Sequence, residues 1–205
     1  AAMQRLINRQ RPRFQLQPWD WQYYAEQVRV AEYALDEEQI KPYFELDRVL
    51  RDGVFYTAQR LYGLTFRERT DIPVYHPDVR VWEVFDADTS LGLFYGDYFK
   101  RDNKNGGAWS SGFVGRSRLM GTRPVLINNC NYTKPAAGQP ALLTWDNVIT
   151  MFHEFGHALS GFLNTAPYPR AGAMPRDFGE VPSQFMEHWA LYPEVFANFA
   201  RHYQT

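Results

Sequence analysis

Met151-Phe152-His153-Glu154-Phe155-Gly156-His157 decides how this chain is read, because it sets an HExxH pattern inside a stretch with helical periodicity. Thr144, followed by Trp145 and Asp146, predicts the helix start: a hydroxyl to cap a free N–H, then an acid against the positive end of the helix dipole. Val148, Phe152, Phe155, Leu159 and Phe162 recur at spacings of three and four and make an apolar face largely opposite the histidines. His153 and His157 then stand one turn apart on the other face. That spacing lets both rings bind a single tetrahedral Zn²⁺, while Glu154 can reach a water at the open coordination position. Gly156 lowers helix propensity between the two histidines, which predicts a close packing partner against the backbone there. Taken one at a time, these histidines would be ordinary polar residues of a half-exposed helix. Together they point to a zinc hydrolase, in particular a peptidase.

Zinc sites use more than two protein ligands. The segment Pro175-Arg176-Asp177-Phe178-Gly179-Glu180-Val181-Pro182-Ser183-Gln184-Phe185-Met186-Glu187-His188-Trp189 is the expected source of the third. Pro182 suits the first turn of a helix, after which Glu180, Gln184 and Glu187 share one face. Glu180 is the expected ligand. Asp177 or Glu187 is the expected outer acceptor for ring N–H groups that face away from the metal. A competing reading makes Asp177 and Glu180 a capping box; Pro182 opposes it, since a helix capped at Asp177 would carry the proline too deep. Phe185, Met186 and Trp189 are expected to pack on the HExxH helix.

Elsewhere, helices are expected from about Trp19 to Leu35, from an Asp36 cap to an interruption at Pro42, and from Phe44 to Tyr62, where Gly63 ends the run. After Pro73 the period changes to that of strands: Val79, Val81, Trp82, Val84 and Phe85, then Leu91 to Phe99, joined through Ala87-Asp88-Thr89-Ser90. Ala108 to Val114 and Val125 to Asn131 add two more. Tyr132 to Leu142 is a Pro- and Gly-bearing loop, and the remainder is helical. The expected class is α+β, mainly helical, with a small β-sheet beside the zinc helices.

The 205 residues are 45% hydrophobic and can bury one core, without repeats or low-complexity runs. Aromatic content of 17% exceeds what a small complete protein buries, so part of that surface should line a cleft or face other polypeptide. A net charge of −1 gives no electrostatic case for nucleic acid or anionic membrane as partner. Cys130 is the single cysteine, which excludes an internal disulfide and predicts a buried thiol. No apolar run in these residues is long enough to span a bilayer and none reads as a signal peptide, although a fragment could have lost an N-terminal signal. The expected compartment is the cytoplasm, with the periplasm as alternative.

The runs FHEFGHALSGF and PRDFGEVPSQFMEHWA, with LQPWDWQYYAEQVR, ALDEEQIKPYFEL, DIPVYHPDVRVWEVFD, LFYGDYFKRD, GGAW and NCNYTKPAAGQPALL upstream, resemble the bacterial peptidyl-dipeptidases of the thimet oligopeptidase and neurolysin family of zinc peptidases. The similarity covers nearly the whole chain. It implies a zincin-like catalytic core of the neurolysin type, one Zn²⁺ per chain on His153, His157 and Glu180, and Glu154 as the base that activates water. It also implies that Gly106, Gly107 and Ala108 lie on a sheet edge where a peptide substrate pairs as an added strand. The implied activity is release of dipeptides from the C-termini of short peptides. Ser160 stands where the family usually has histidine, Gly179 where it usually has valine, and the link from the HExxH helix to RDFGE is about two residues shorter, as judged from motif spacing; these differences bear on substrate preference. The family's Tyr- and His-rich segment, which binds the tetrahedral intermediate, and its long helical N-terminal region have no match here. Residues 1–205 are therefore expected to be part of the catalytic domain of a larger enzyme, whose missing N- and C-terminal parts are candidate partners.

Two other functions stay open: an oligopeptidase that cleaves internally with the same residues, and a fragment that binds zinc without turnover. Release of C-terminal dipeptides needs a cation for the free carboxylate. Arg101, Lys104, Arg116 and Arg118 are candidates by charge alone, and each is more readily read as a solvated surface residue.

Overall fold

The computed structural model describes residues 2–10, 12–33, 37–168, 172 and 174–205. Two units form, Ala1–Ile40 and Lys41–Thr205. The first contains α1 (Ala2–Arg9), α2 (Trp21–Tyr33), entered through a 3-10 turn at Pro18–Asp20, and α3 (Glu37–Ile40). Gln4 of α1 fastens the following loop, donating to Phe14 O and accepting from Leu16 N, each at 2.9 Å. α1 has no counterpart in the sequence reading. The expected helix end at Leu35 and the expected cap Asp36 lie outside the described residues.

The second unit begins its helical rod with α4 (Leu46–Arg48), a π-helical run (Val49–Phe55) and α5 (Tyr56–Tyr62), where one helix was expected. Glu45 caps the rod by accepting from Asp47 N and Arg48 N at 3.1 and 2.9 Å. Gly63, at φ 72°, ends it in the left-handed conformation that glycine adopts without strain.

Five strands follow: β1 (Leu64–Glu68), β2 (Arg80–Asp86), β3 (Thr89–Phe99), β4 (Trp109–Val114) and β5 (Val125–Tyr132). Their spatial order is β1-β2-β3-β5-β4, with β3 and β5 parallel and the other pairs antiparallel. The sheet is therefore larger than the small one expected. β1 was missed because Leu64-Thr-Phe-Arg-Glu68 has a single fully buried position and takes its strand form from pairing with β2. The β2–β3 turn is only Ala87-Asp88, with Ala87 at φ 48°, so Thr89 and Ser90 already belong to β3.

α6 (Trp145–Leu163), α7 (Val181–Ala190) and α8 (Pro193–Phe199) complete the chain. Val148, Phe152, Phe155, Leu159 and Phe162 are all buried, as the periodicity predicts. Phe155 fixes the rotation of α6 about its axis: its ring meets Phe94 of β3 edge-on at 5.2 Å, Phe55 at 5.6 Å and Phe66 of β1 at 5.8 Å. Burial of such a side chain is worth about 2–3 kcal/mol, and rotation of the helix would forfeit it. His153, Glu154 and His157 are thereby turned toward a cleft bordered by Leu126 of β5 and the start of β4. α7 buries Ser183, Met186 and Ala190, while Phe185 is 48% exposed, contrary to the expected packing. Ser183, Met186 and Ala190 recur at spacings of three and four on one face, and Phe185 lies off that face. Cys130 is fully buried, as expected. No helix among the described residues is long and apolar enough to cross a membrane.

Candidate metal centre

α6 starts where the sequence predicts. Thr144 Oγ1 accepts from Asn147 N at 3.2 Å, and the Asn147 side chain accepts from Thr144 N at 3.4 Å, a reciprocal cap. On the exposed face of the helix, the rings of His153 and His157 lie 5.1 Å apart.

Gly156 explains how a third donor reaches them. A Cβ at this position would lie 2.6 Å from both Pro182 O and Ser183 Cα, so α7 crosses α6 backbone against backbone. Glu180, the residue ahead of α7, is carried over both rings by that crossing. Its Oε2 lies 3.2 Å from His153 Nε2 and 3.2 Å from His157 Nε2.

The protonation pattern that follows favours a cation. Glu187 Oε1 is 2.6 Å from His153 Nδ1. A carboxylate only accepts, so Nδ1 carries the proton, and in the neutral form that binds a metal Nε2 faces Glu180 Oε2 as a second acceptor. Two lone-pair atoms at that separation repel unless a positive charge lies between them. Donor atoms around a tetrahedral ion with bonds of about 2.0–2.1 Å are themselves roughly 3.3 Å apart, which matches the spacing here. Two imidazole nitrogens and one carboxylate oxygen, all within 4.8 Å of one another, suit Zn²⁺ with one position left open.

Electrostatics around the triad agree. Burial lowers the pKa of His157, although Glu180 opposes the shift, and so favours the neutral, metal-binding ring. A hydrogen bond from Ser183, followed by the charges of the histidines, holds the Glu180 carboxyl below the usual carboxylate range. Glu154 behaves oppositely. It is 5% exposed, and burial raises its pKa; His153 opposes the rise and Glu180 adds to it. Glu154 Oε2 has no hydrogen-bond partner among the described residues, so a buried oxygen is left for something that enters the cleft. The cleft holds about 500 Å³ and is walled by these four residues, Leu126, and the strip Ala108 to Ser111 at the start of β4.

The remaining expected residues separate. Ala108 lines the cleft, whereas Gly106 and Gly107 form the bend that leads into β4, with Gly107 at φ 84°. Asn131 pins that bend by donating to Asn105 O and Gly107 O at 2.7 and 2.8 Å. β4 is an edge strand of the sheet. Glu187 meets His153. Asp177 sits exposed in the turn before α7 and makes no side-chain hydrogen bond or ion pair among the described residues. Helix α7 starts at Val181, so Asp177 is not its cap either.

Three of the four candidate cations are occupied elsewhere. Arg101 and Lys104 bind the buried Asp97 carboxylate at 2.7 and 2.8 Å, and Arg116 donates to Phe162 O and Asn164 O at the end of α6. A fully buried Asp97 offers more to a cation than water does, and charge counting along a sequence cannot reveal such a partner. Sequence reasoning also missed Ser183, whose hydroxyl lies within donating distance of two acceptors, Glu180 O at 2.9 Å and Glu180 Oε2 at 3.0 Å. The available signal was a hydroxyl three residues after the ligand in a first helical turn.

Known proteins are similar to this chain over nearly all of its length. Dipeptidyl carboxypeptidase of Escherichia coli is 59% identical over 208 residues, covering 100% of this chain and 30% of that protein. Its counterpart in Salmonella typhimurium is 58% identical, covering 98% and 30%. Oligopeptidase A of Escherichia coli is 43% identical, covering 93% and 29%. The chain thus spans about 30% of the length of these curated relatives. Residues 1–205 match Peptidase family M3 from end to end, and the chain belongs to that family.

Proposed function

We propose that this chain carries the catalytic centre of a zinc metallopeptidase that releases dipeptides from the C-termini of short peptides, with a zincin-like core of the neurolysin type. The observation that carries the reading is the convergence of His153, His157 and Glu180 beside a buried Glu154 carboxylate with an unpartnered oxygen. Its extension to C-terminal dipeptides rests on similarity to the dipeptidyl carboxypeptidases.

One Zn²⁺ per chain, held by His153, His157 and Glu180, would supply a Lewis acid for the scissile carbonyl and a lowered pKa for a water at the open position. Glu187 anchors His153 through Nδ1 and keeps Nε2 directed at the cleft. Glu154 takes the proton of the attacking water and delivers it to the leaving amine. Its raised pKa suits both halves of that task, since a carboxylate near its usual range would hold the proton too weakly. An extended peptide adds beside Gly106, Gly107 and Ala108 at the β4 edge, where main-chain pairing accepts many side chains.

Glu154→Gln in the intact protein tests this. Zinc content should stay at one per chain while peptide cleavage falls on the order of 10²–10⁴-fold. Unchanged cleavage would refute the role of Glu154. A second reading, internal cleavage of oligopeptides, is favoured by the similarity to oligopeptidase A. Amidation of a peptide's C-terminus separates the two: it abolishes dipeptide release but leaves internal cleavage intact.

A further inference from the structure

We infer that Ser183 is a positioning residue of the metal centre, its hydroxyl holding the Glu180 carboxylate in the rotamer that meets His153 and His157. The inference rests on the proposed role of Glu180 as third ligand.

Glu180 needs such a restraint. It occupies the N-cap position of α7, at φ −89° and ψ −5°, and its side chain is 61% exposed, so packing does not select its rotamer. A free glutamate side chain loses much conformational entropy when it is fixed, and a metal site that must order its own ligand is weakened accordingly. Ser183 is the opposite case. It is completely buried, and its Cα is one of the atoms pressed against the backbone of Gly156. The crossing of α6 and α7 therefore sets the position of its hydroxyl to within the tolerance of a packed core. From that position Oγ reaches Glu180 Oε2, the oxygen nearest both histidines, at 3.0 Å.

A serine in the first turn of a helix often donates to the carbonyl three residues earlier, and Glu180 O lies 2.9 Å from Ser183 Oγ as the competing acceptor for its one hydrogen. That carbonyl already accepts from Gln184 N at 2.9 Å and does not depend on the hydroxyl. The contact with Oε2 is the part that backbone capping leaves unexplained. Gly156 thus fixes Ser183, and Ser183 fixes Glu180.

The test is a double-mutant cycle on zinc affinity in the intact protein, measured by competition with a chromogenic chelator, with the thermal midpoint of the metal-free protein followed in parallel. Ser183→Ala should weaken zinc binding roughly 10- to 100-fold, the usual consequence of removing a group that orients a ligand. The same substitution in a Glu180→Ala background should cause no further loss. Unchanged affinity in Ser183→Ala, or an equal loss in both backgrounds, would overturn the inference and leave the hydroxyl a helix-start feature only. Wild-type affinity in Glu180→Ala would instead remove Glu180 from the ligand set, and the positioning role with it.

Discussion

Gly156→Ala tests whether the approach of two helices assembles the metal centre. The added Cβ would lie 2.6 Å from Pro182 O and from Ser183 Cα, against about 3.4 Å for ordinary contact, so α7 must withdraw by roughly 0.8 Å. Both obstructing atoms are backbone, and no side-chain rotation relieves them. Glu180 moves with α7, while ligand distances at a metal tolerate about 0.2 Å. The third ligand should therefore leave its place, and zinc affinity should fall on the order of 100-fold, at least as far as loss of an orienting partner would take it. Stability should change little. Alanine gains about 1 kcal/mol of helix propensity over glycine, which offsets part of the 1–3 kcal/mol typical of overpacking, so the metal-free midpoint should shift by only a few degrees. Gly161→Ala, on the same helix, is the control: its Cβ meets Leu126 Cδ1 at 2.6 Å, a side-chain tip that can turn aside, and zinc affinity should hold. Chelator competition together with thermal unfolding measures both quantities. Wild-type zinc affinity in Gly156→Ala would refute the claim that this crossing positions Glu180.

Three further outcomes are expected. Glu187→Gln should reduce zinc affinity roughly 10- to 100-fold, while Asp177→Asn should leave it unchanged, as chelator competition on the two variants will report. Burial pushes the Asp97 carboxyl up, but hydrogen bonds from Arg101, Lys104 and Tyr75 outweigh it and hold the pKa at about 2, below the ordinary 3.8. A depressed native pKa stabilises the fold above the unfolded value, so about 2 kcal/mol should be lost as pH falls from 4 to 2, and Asp97→Asn should flatten denaturant midpoints over that window. Burial pushes the Cys130 thiol up to about 12, so iodoacetamide at pH 8 should label it only after denaturation; rapid labelling of the native protein would contradict the buried placement.

What can be read from this sequence is what depends on neighbours along the chain. A period of 3.6 places His153 and His157 on one helical face with five apolar residues opposite, whatever the rest of the protein does, and Thr144 caps its own helix. Gly63 ends a helix for an equally local reason, its backbone freedom. Glu180 could be proposed from its place ahead of Pro182, but its distance to the histidines could not. That distance is set by the absence of a side chain at Gly156, which lets α7 descend onto α6, and a glycine in a sequence states only that something may approach. The choice of Glu187 over Asp177, the employment of Arg101 and Lys104 by Asp97, and the hydroxyl of Ser183 against Glu180 likewise follow from the packed arrangement. A charged or polar side chain takes the best partner within a few ångströms, and only the tertiary structure decides which residues, distant along the chain, come that close.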